Sequence, residues 1–393
     1  MGVQLSKIRF ENYKRFSDRE EIELRPVTLL IGKNSSGKSS ITRLFPMIGK
    51  SLSGELDGMP ISFTSDGVSL GTSFQSLCHN GNMVELKFGV SFVDETSIDI
   101  ELMSLGSGDV IVNKYILRTK QGIYTLKRES GAYKCSETGK SYSDNFNGFV
   151  HVELFKDIQL TASYSQLIDY IGPIRINPER FLTYNWNEKK TNVGAQGENA
   201  YSMYCADAKL QSAVSAWFEN SFNECKVRLK PTPEVGMSQI VFSKKDQQPY
   251  EVNIADEGMG IGQVFPIIVR SLKSIYESIV VIEQPELHLH PAAHANMARL
   301  FAETAVSNKQ IYVIETHSEN LLLGLRKAVV DKSISFTPED LVIYFIKEDE
   351  SGAFLEKITI DKTGSLSDWP KGVFNESFEL MRDILEQSEK LKK

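Results

Sequence analysis

The segment GKNSSGKS at 32–39 places glycines at both ends of a short loop, with a lysine and a serine directly after the second. Gly32 and Gly37 allow the backbone to curl until successive amides point inward, an arrangement that holds phosphate oxygens. Lys38 supplies a point charge for the β and γ phosphates of a nucleoside triphosphate, and Ser39 supplies a hydroxyl for Mg2+. Asn34, Ser35, Ser36 and Ser40 complete the loop, which is read as an ATP-binding site.

A phosphate loop works with an acid at the end of a neighbouring buried strand. SIVVIEQPE offers one, with Glu283 on the metal side after four apolar residues. The next position, where a general base would activate water, holds Gln284, whose neutral amide orients water but accepts no proton. Either hydrolysis is slow or Glu286 serves as the base. His317 closes the run IYVIETH and stands where a side chain senses the γ phosphate, with a core or solvated histidine as the alternative. GMGIGQ at 258–263 precedes an apolar helical run, so Gly258, Gly260, Gly262 and Gln263 could turn amides and a helix N-terminus towards the nucleotide of a second molecule. His288, His290 and His294 have spacing that could gather a metal, but Pro291 intervenes, and packing or dimer contacts explain them better.

The elements that must carry these groups follow from periodicity. Residues 3–31 alternate as strands do and end on the mostly apolar run Val27 to Ile31; helical spacing through Ile41, Leu44, Phe45 and Ile48 follows the loop. The motif thus lies between a strand and a helix N-terminus. Residues 61–162 are rich in β-branched and aromatic residues with repeated turn signals, which predicts antiparallel strands. From 163 the text SQLIDYIGPIRINPERF and then NAYSMYCADAKLQSAVSAWFENSF reads as helices around a polar stretch. FNESFELMRDILEQSEKLKK reads as a charged closing helix. Three units are expected: 1–165 with the loop and a β insertion, 166–273 as a helical arm, and 274–393 returning to the nucleotide lobe.

Composition narrows the class. At 393 residues the chain exceeds one usual core, and 41% hydrophobic with 24% charged residues is an ordinary folded composition. A net charge of −7 requires any DNA contact to use a local patch, for which the candidates are Lys226 to Lys230, Lys244 with Lys245, and Arg175 with Arg180. Cysteines at 78, 135, 205 and 225 form no CxxC pair and fit reduced thiols in the cytoplasm. No apolar run approaches the length of a membrane span.

The order of these segments resembles the ABC-type ATPases of the SMC and RecF kind, in the branch of the OLD, PtuA and AriA antiviral ATPases. The resemblance rests on IRFENYKRFSD, VTLLIGKNSSGKSS, LGTSFQSLCHN, YIGPIRINPERF, GMGIGQVFPIIV, VVIEQPELHLHP and YVIETHSENLLLGLR. It implies an α/β fold in which a mixed sheet surrounds the loop helix, with an antiparallel β subdomain and a helical second lobe. It further implies Ser39, Glu283 and Gln75 around Mg2+, His317 as a switch, two subunits enclosing ATP in a dimer or higher oligomer, and His288 to Pro291 along their seam. The signature turn lacks a clear LSGGQ serine, and Gln284 departs from the usual acid. Too little chain follows ETHS for the nuclease domain that OLD enzymes append, so a separate effector such as a nuclease or toxin is expected. A RecF-like repair ATPase on duplex DNA is the second reading, and a transporter ATPase is the least favoured.

Overall fold

The computed structural model describes residues 2–106, 109–183, 190–222, 225–232, 236–244, 250–275, 277–369, 374 and 376–391. Its centre is a six-stranded sheet in the order Ile168–Ile171, Ile279–Glu283, Ile311–Glu315, Val27–Gly32, Leu341–Asp349, Gly352–Ile358. Neighbours along the first five are parallel, and the last pairs antiparallel with Leu341–Asp349. The strands VTLLIG, IVVIE and IYVIE are buried throughout, as a parallel sheet covered on both faces requires.

Period-two alternation sends their side chains into two cores. Leu30, Val281, Val313 and Val342 meet Ile41, Leu44, Phe45 and Ile48 of the helix Lys38–Leu52 on one face. Leu29, Ile31, Val280, Ile282 and Ile314 meet the helices Met259–Leu272, Pro291–Asn308 and Glu319–Val330 on the other. The first core continues into an eight-stranded sheet with strand order Ser141–Tyr142, Ala132–Cys135, Gly122–Glu129, Asp109–Thr119, Ser97–Leu105, Leu86–Phe92, Leu5–Glu11, Glu20–Glu23. All the pairings among its described strands are antiparallel. The fold is mixed α/β, as expected.

Two details differ from the sequence reading. The stretch after 163, expected as helix, contributes Ile168–Ile171 as a strand parallel to Ile279–Glu283. Pro173 and Pro178 oppose helix there, and an open, buried sheet edge takes the apolar residues. Within 166–273 the helices Ala200–Cys205 and Ala208–Ser221 are joined by a three-stranded sheet of Cys225–Thr232, Met237–Lys244 and Glu251–Asn253. Alternation in CKVRLKPT and MSQIVFSK explains that sheet. The closing helix is Glu376–Leu391, with Leu380, Met381, Ile384 and Leu385 exposed. Among the described residues no helix is long and apolar enough to cross a membrane.

Candidate active site

The strand Val27–Gly32 runs directly into the loop and the helix Lys38–Leu52 leaves it. Ser35 (φ 62°) and Gly37 (φ 108°) adopt left-handed conformations within the loop, and backbone of mixed hand turns neighbouring amides to one side. Position 37 favours glycine for a second reason: a Cβ there would lie a tight 3.1 Å from Phe16 Cε2. Lys38 is buried, and its Nζ donates to the Gly32 carbonyl at 2.8 Å and the Lys33 carbonyl at 2.6 Å. Burial lowers its pKa, with Glu315 and Glu286 opposing. The ammonium is thus fixed at the loop by carbonyls and poised for anionic oxygens.

Glu283 and Glu315 occupy the same rung of the ladder between the two central strands, so their side chains leave the sheet side by side. Ser39 Oγ donates to Glu315, at 2.9 Å from Oε2 and 3.1 Å from Oε1. Glu283 Oε1 accepts from Thr42 Oγ1 at 2.6 Å and from the Tyr170 hydroxyl at 2.7 Å, with Arg43 Nε at 3.7 Å. Burial raises the Glu315 carboxyl to about 7, the Glu283 charge adds to the rise, and Ser39 and Lys38 oppose it. Gln284 is left-handed (φ 48°), and its amide donates to the Glu315 carbonyl at 2.8 Å. Glu286 Oε1 accepts from the His317 amide at 2.7 Å; burial raises the Glu286 carboxyl, and burial followed by the Lys38 charge lowers the His317 imidazole. One cavity is walled by Asn34, Ser35 and Gly37 to Ser40 of the loop, by Arg15, and by Gln284, Glu315 and His317.

Other expected residues lie elsewhere. Gln75 is exposed on the short helix Phe74–Leu77 and does not line this cavity. Gly258 precedes the helix Met259–Leu272 and is exposed. Gly260 and Gly262 are glycines because of packing within the chain: a Cβ would meet the His288 carbonyl at 2.5 Å or Pro178 Cδ at 2.9 Å. Gln263 is buried against Arg175, accepting from its amide at 3.2 Å and donating to its carbonyl at 3.0 Å. Ser36 is buried, with its hydroxyl unpartnered among the described residues.

The histidines divide their duties. His294 is buried, with Nδ1 2.7 Å from Ser318 Oγ and Nε2 3.3 Å from the Leu289 carbonyl, while His290 Nδ1 accepts from the Ala292 amide. His288 is exposed in a left-handed conformation. Arg175 must leave the list of DNA contacts, because it is 3% exposed and donates to the Glu283 carbonyl at 2.7 Å. Arg180 is paired with Asp256, Lys226 with Glu219, and Arg228 and Lys230 with Glu251. Lys245 lies outside the described residues.

Sequence reasoning missed Glu315, Thr42, Tyr170 and Arg43. For Glu315 a signal was present: IVVIE and IYVIE are near copies, each ending an apolar run on a glutamate. Thr42 and Arg43 lie on the helix just past the loop, but nothing local says that they reach Glu283. Hydroxyl and carboxylate oxygens around Ser39, beside a fixed ammonium and inward amides, form a hard-oxygen donor set suited to Mg2+ with a nucleotide phosphate.

A family model for the AAA ATPase domain matches residues 4–103 and 159–322, and a model for a protein family of unknown function, DUF3696, matches 336–384. The Old nuclease of Escherichia phage P2 is 22% identical over 351 residues, which cover 82% of this chain and 58% of that protein. The chain therefore spans less than two thirds of the length of this curated relative. Among solved structures, the SMC head domain from Thermotoga maritima aligns with a TM-score of 0.47 at 12% identity, covering 90% of this chain and 98% of its own. The Smc head domain derived from Pyrococcus furiosus, with an extended coiled coil and bound to the C-terminal domain of ScpA, aligns with a TM-score of 0.49 at 10% identity, covering 97% and 99%. With more than half of the chain matched and a phosphate loop between its central strand and helix, this chain belongs to the AAA ATPase domain family.

Proposed function

We propose that this chain is an ATP-gated oligomer that hydrolyses ATP slowly and acts as the sensor or scaffold subunit of an antiviral defence system, controlling a separate effector such as a nuclease or toxin. The observation that carries the reading is the cavity that gathers Lys38, Ser39, Gln284, Glu315 and His317 around one phosphate position. Lys38 and the loop amides hold the phosphates. Ser39 and a strand-end carboxylate hold Mg2+, and His317 senses the γ phosphate as a neutral imidazole. The similarity to the Old nuclease of phage P2 supports the OLD-like resemblance from which the defence context is drawn.

A second copy has a surface to use. Gly258 and Met259 stand exposed at a helix N-terminus that no side chain among the described residues caps, which leaves the first amides to an anion. Met259 is 61% exposed and Ile174 is 78% exposed. In the proposed assembly this turn closes over the loop of the other copy, and His288 to Pro291 lie along the seam. Light-scattering mass is expected to at least double when Mg2+ and ATP are added, and Met259→Glu should remain a monomer under the same conditions. A monomeric wild type under every nucleotide condition would sink the gating model.

Slow turnover follows from Gln284, which lines the cavity and offers an amide where a base is needed. Gln284→Glu is expected to raise steady-state phosphate release by about 100-fold, the lower end of what a positioned base contributes. A wild type that already turns over as fast as the variant refutes the slow-timer reading.

A further inference from the structure

We propose that Glu315, rather than Glu283, is the carboxylate that meets the Mg2+ of the bound nucleotide, and that Glu283 is a positioning residue. The assignment rests on the ATP-binding reading above and deepens it. The two acids share one rung, so strand geometry alone favours neither. Their surroundings separate them.

Glu283 is buried, and its Oε1 accepts from both the Thr42 and the Tyr170 hydroxyls with Arg43 nearby. Its main-chain carbonyl is held by Arg175. These contacts tie the strand end to the loop helix, to the neighbouring strand Ile168–Ile171 and to the segment after it. Glu283 is not among the residues that wall the cavity.

Glu315 does wall the cavity, together with Lys38 and Ser39. Its carboxylate accepts a hydrogen bond from Ser39 Oγ. A hydroxyl whose hydrogen is turned onto a carboxylate keeps its lone pairs for a cation, and that cation then also faces the carboxylate. Mg2+ is commonly held through one or two carboxylates plus substrate phosphates, so one well-placed acid beside Ser39 suffices. Gln75, the other ligand that the resemblance implies, is exposed on the short helix Phe74–Leu77 and has no part in this wall. Glu315 takes the place of both. Gln284 and Glu315 are further linked through their main chains, so a change in the metal's carboxylate is passed to the residue that faces the attacking water.

The test is equilibrium binding of a fluorescent ATP analogue, in Mg2+ and in EDTA, to wild type, Glu315→Gln, Glu315→Asp and Glu283→Gln. The affinity that wild type gains from Mg2+ is expected to fall at least about 10-fold in Glu315→Gln, the smallest effect usual for a group that tunes a metal site. Binding in EDTA should be unchanged, and Glu315→Asp should recover part of the gain. Glu283→Gln should keep the Mg2+ gain and melt at a lower temperature, because Thr42, Tyr170 and Arg43 lose an anionic partner. Loss of the gain in Glu283→Gln with its retention in Glu315→Gln overturns the assignment. Should Glu283→Gln fail to fold, Glu315→Gln decides alone, since an undiminished gain there overturns it too. A wild type that binds no nucleotide with or without Mg2+ fails differently, removing the ATP-binding reading itself.

Discussion

Lys38→Ala is expected to bind ATP about 100-fold more weakly than wild type, or worse, with the fold retained. The side chain is buried at the loop, where its ammonium is shared between the Gly32 and Lys33 carbonyls and lines the cavity. A hydrogen bond to a charged group is worth about 1.5–3 kcal/mol net. Two such bonds to phosphate oxygens amount to about 3 kcal/mol or more, and each 1.4 kcal/mol is tenfold in affinity. Lys38→Arg should not rescue, because a planar fork cannot replace a compact ammonium between two carbonyls. Isothermal titration with ATP and Mg2+, alongside a thermal melt of the protein alone, checks both halves. Near-wild-type affinity in Lys38→Ala would remove the loop from the mechanism.

The second large effect concerns stability. Arg270 and Asp169 form an ion pair at 2.6 Å in which both side chains are buried. Arg270 also donates to Ser278 Oγ at 2.8 Å, and Asp169 accepts from the Val193 amide. Burial dominates the Asp169 carboxyl and raises its pKa even though Arg270 opposes. Removing one partner leaves an uncompensated buried charge, so Arg270→Ala is expected to cost about 3–5 kcal/mol in urea unfolding. Replacing the pair by apolar residues of similar volume, Arg270→Met with Asp169→Leu, should restore most of the loss, since a buried pair contributes little net stability of its own. If the double variant is as unstable as Arg270→Ala, the pair's specific geometry matters more than its desolvation. The location gives the pair a functional consequence. Arg270 lies on the helix that begins at the Gly258 turn, Asp169 on the edge strand, and Ser278 just before the strand that carries Glu283. Loosening the pair loosens the elements that set one acid of the site against the turn proposed to meet a second copy.

The loop was legible because its chemistry is local. Gly32, Gly37, Lys38 and Ser39 lie within eight residues, and the strand before and helix after are announced by unbroken apolar periodicity. Glu283 was legible for the same reason, as the polar end of a fully apolar run. The antiparallel sheet was legible as a region rich in β-branched residues, whereas its strand order required the pairings themselves. The strand Ile168–Ile171 was not legible, because four residues carry no readable period and only an available sheet edge decides their state. Arg175 looked like a surface cation because sequence cannot show that carbonyls of Gln263 and Glu283 surround it.

By itself, then, the sequence determined that this chain has a phosphate loop between strand and helix, an acid on a buried strand, and an α/β fold around them. Those properties depend on residues near one another in the chain. Only the tertiary structure decided which acid meets Ser39. Glu283 and Glu315 end two near-identical strands, IVVIE and IYVIE. Parallel pairing sets them on one rung; Thr42, Arg43 and Tyr170 then claim Glu283, and Ser39 is left to Glu315. Hydrogen-bond competition among side chains more than a hundred residues apart is a property of the packed fold, and no window along the sequence contains it.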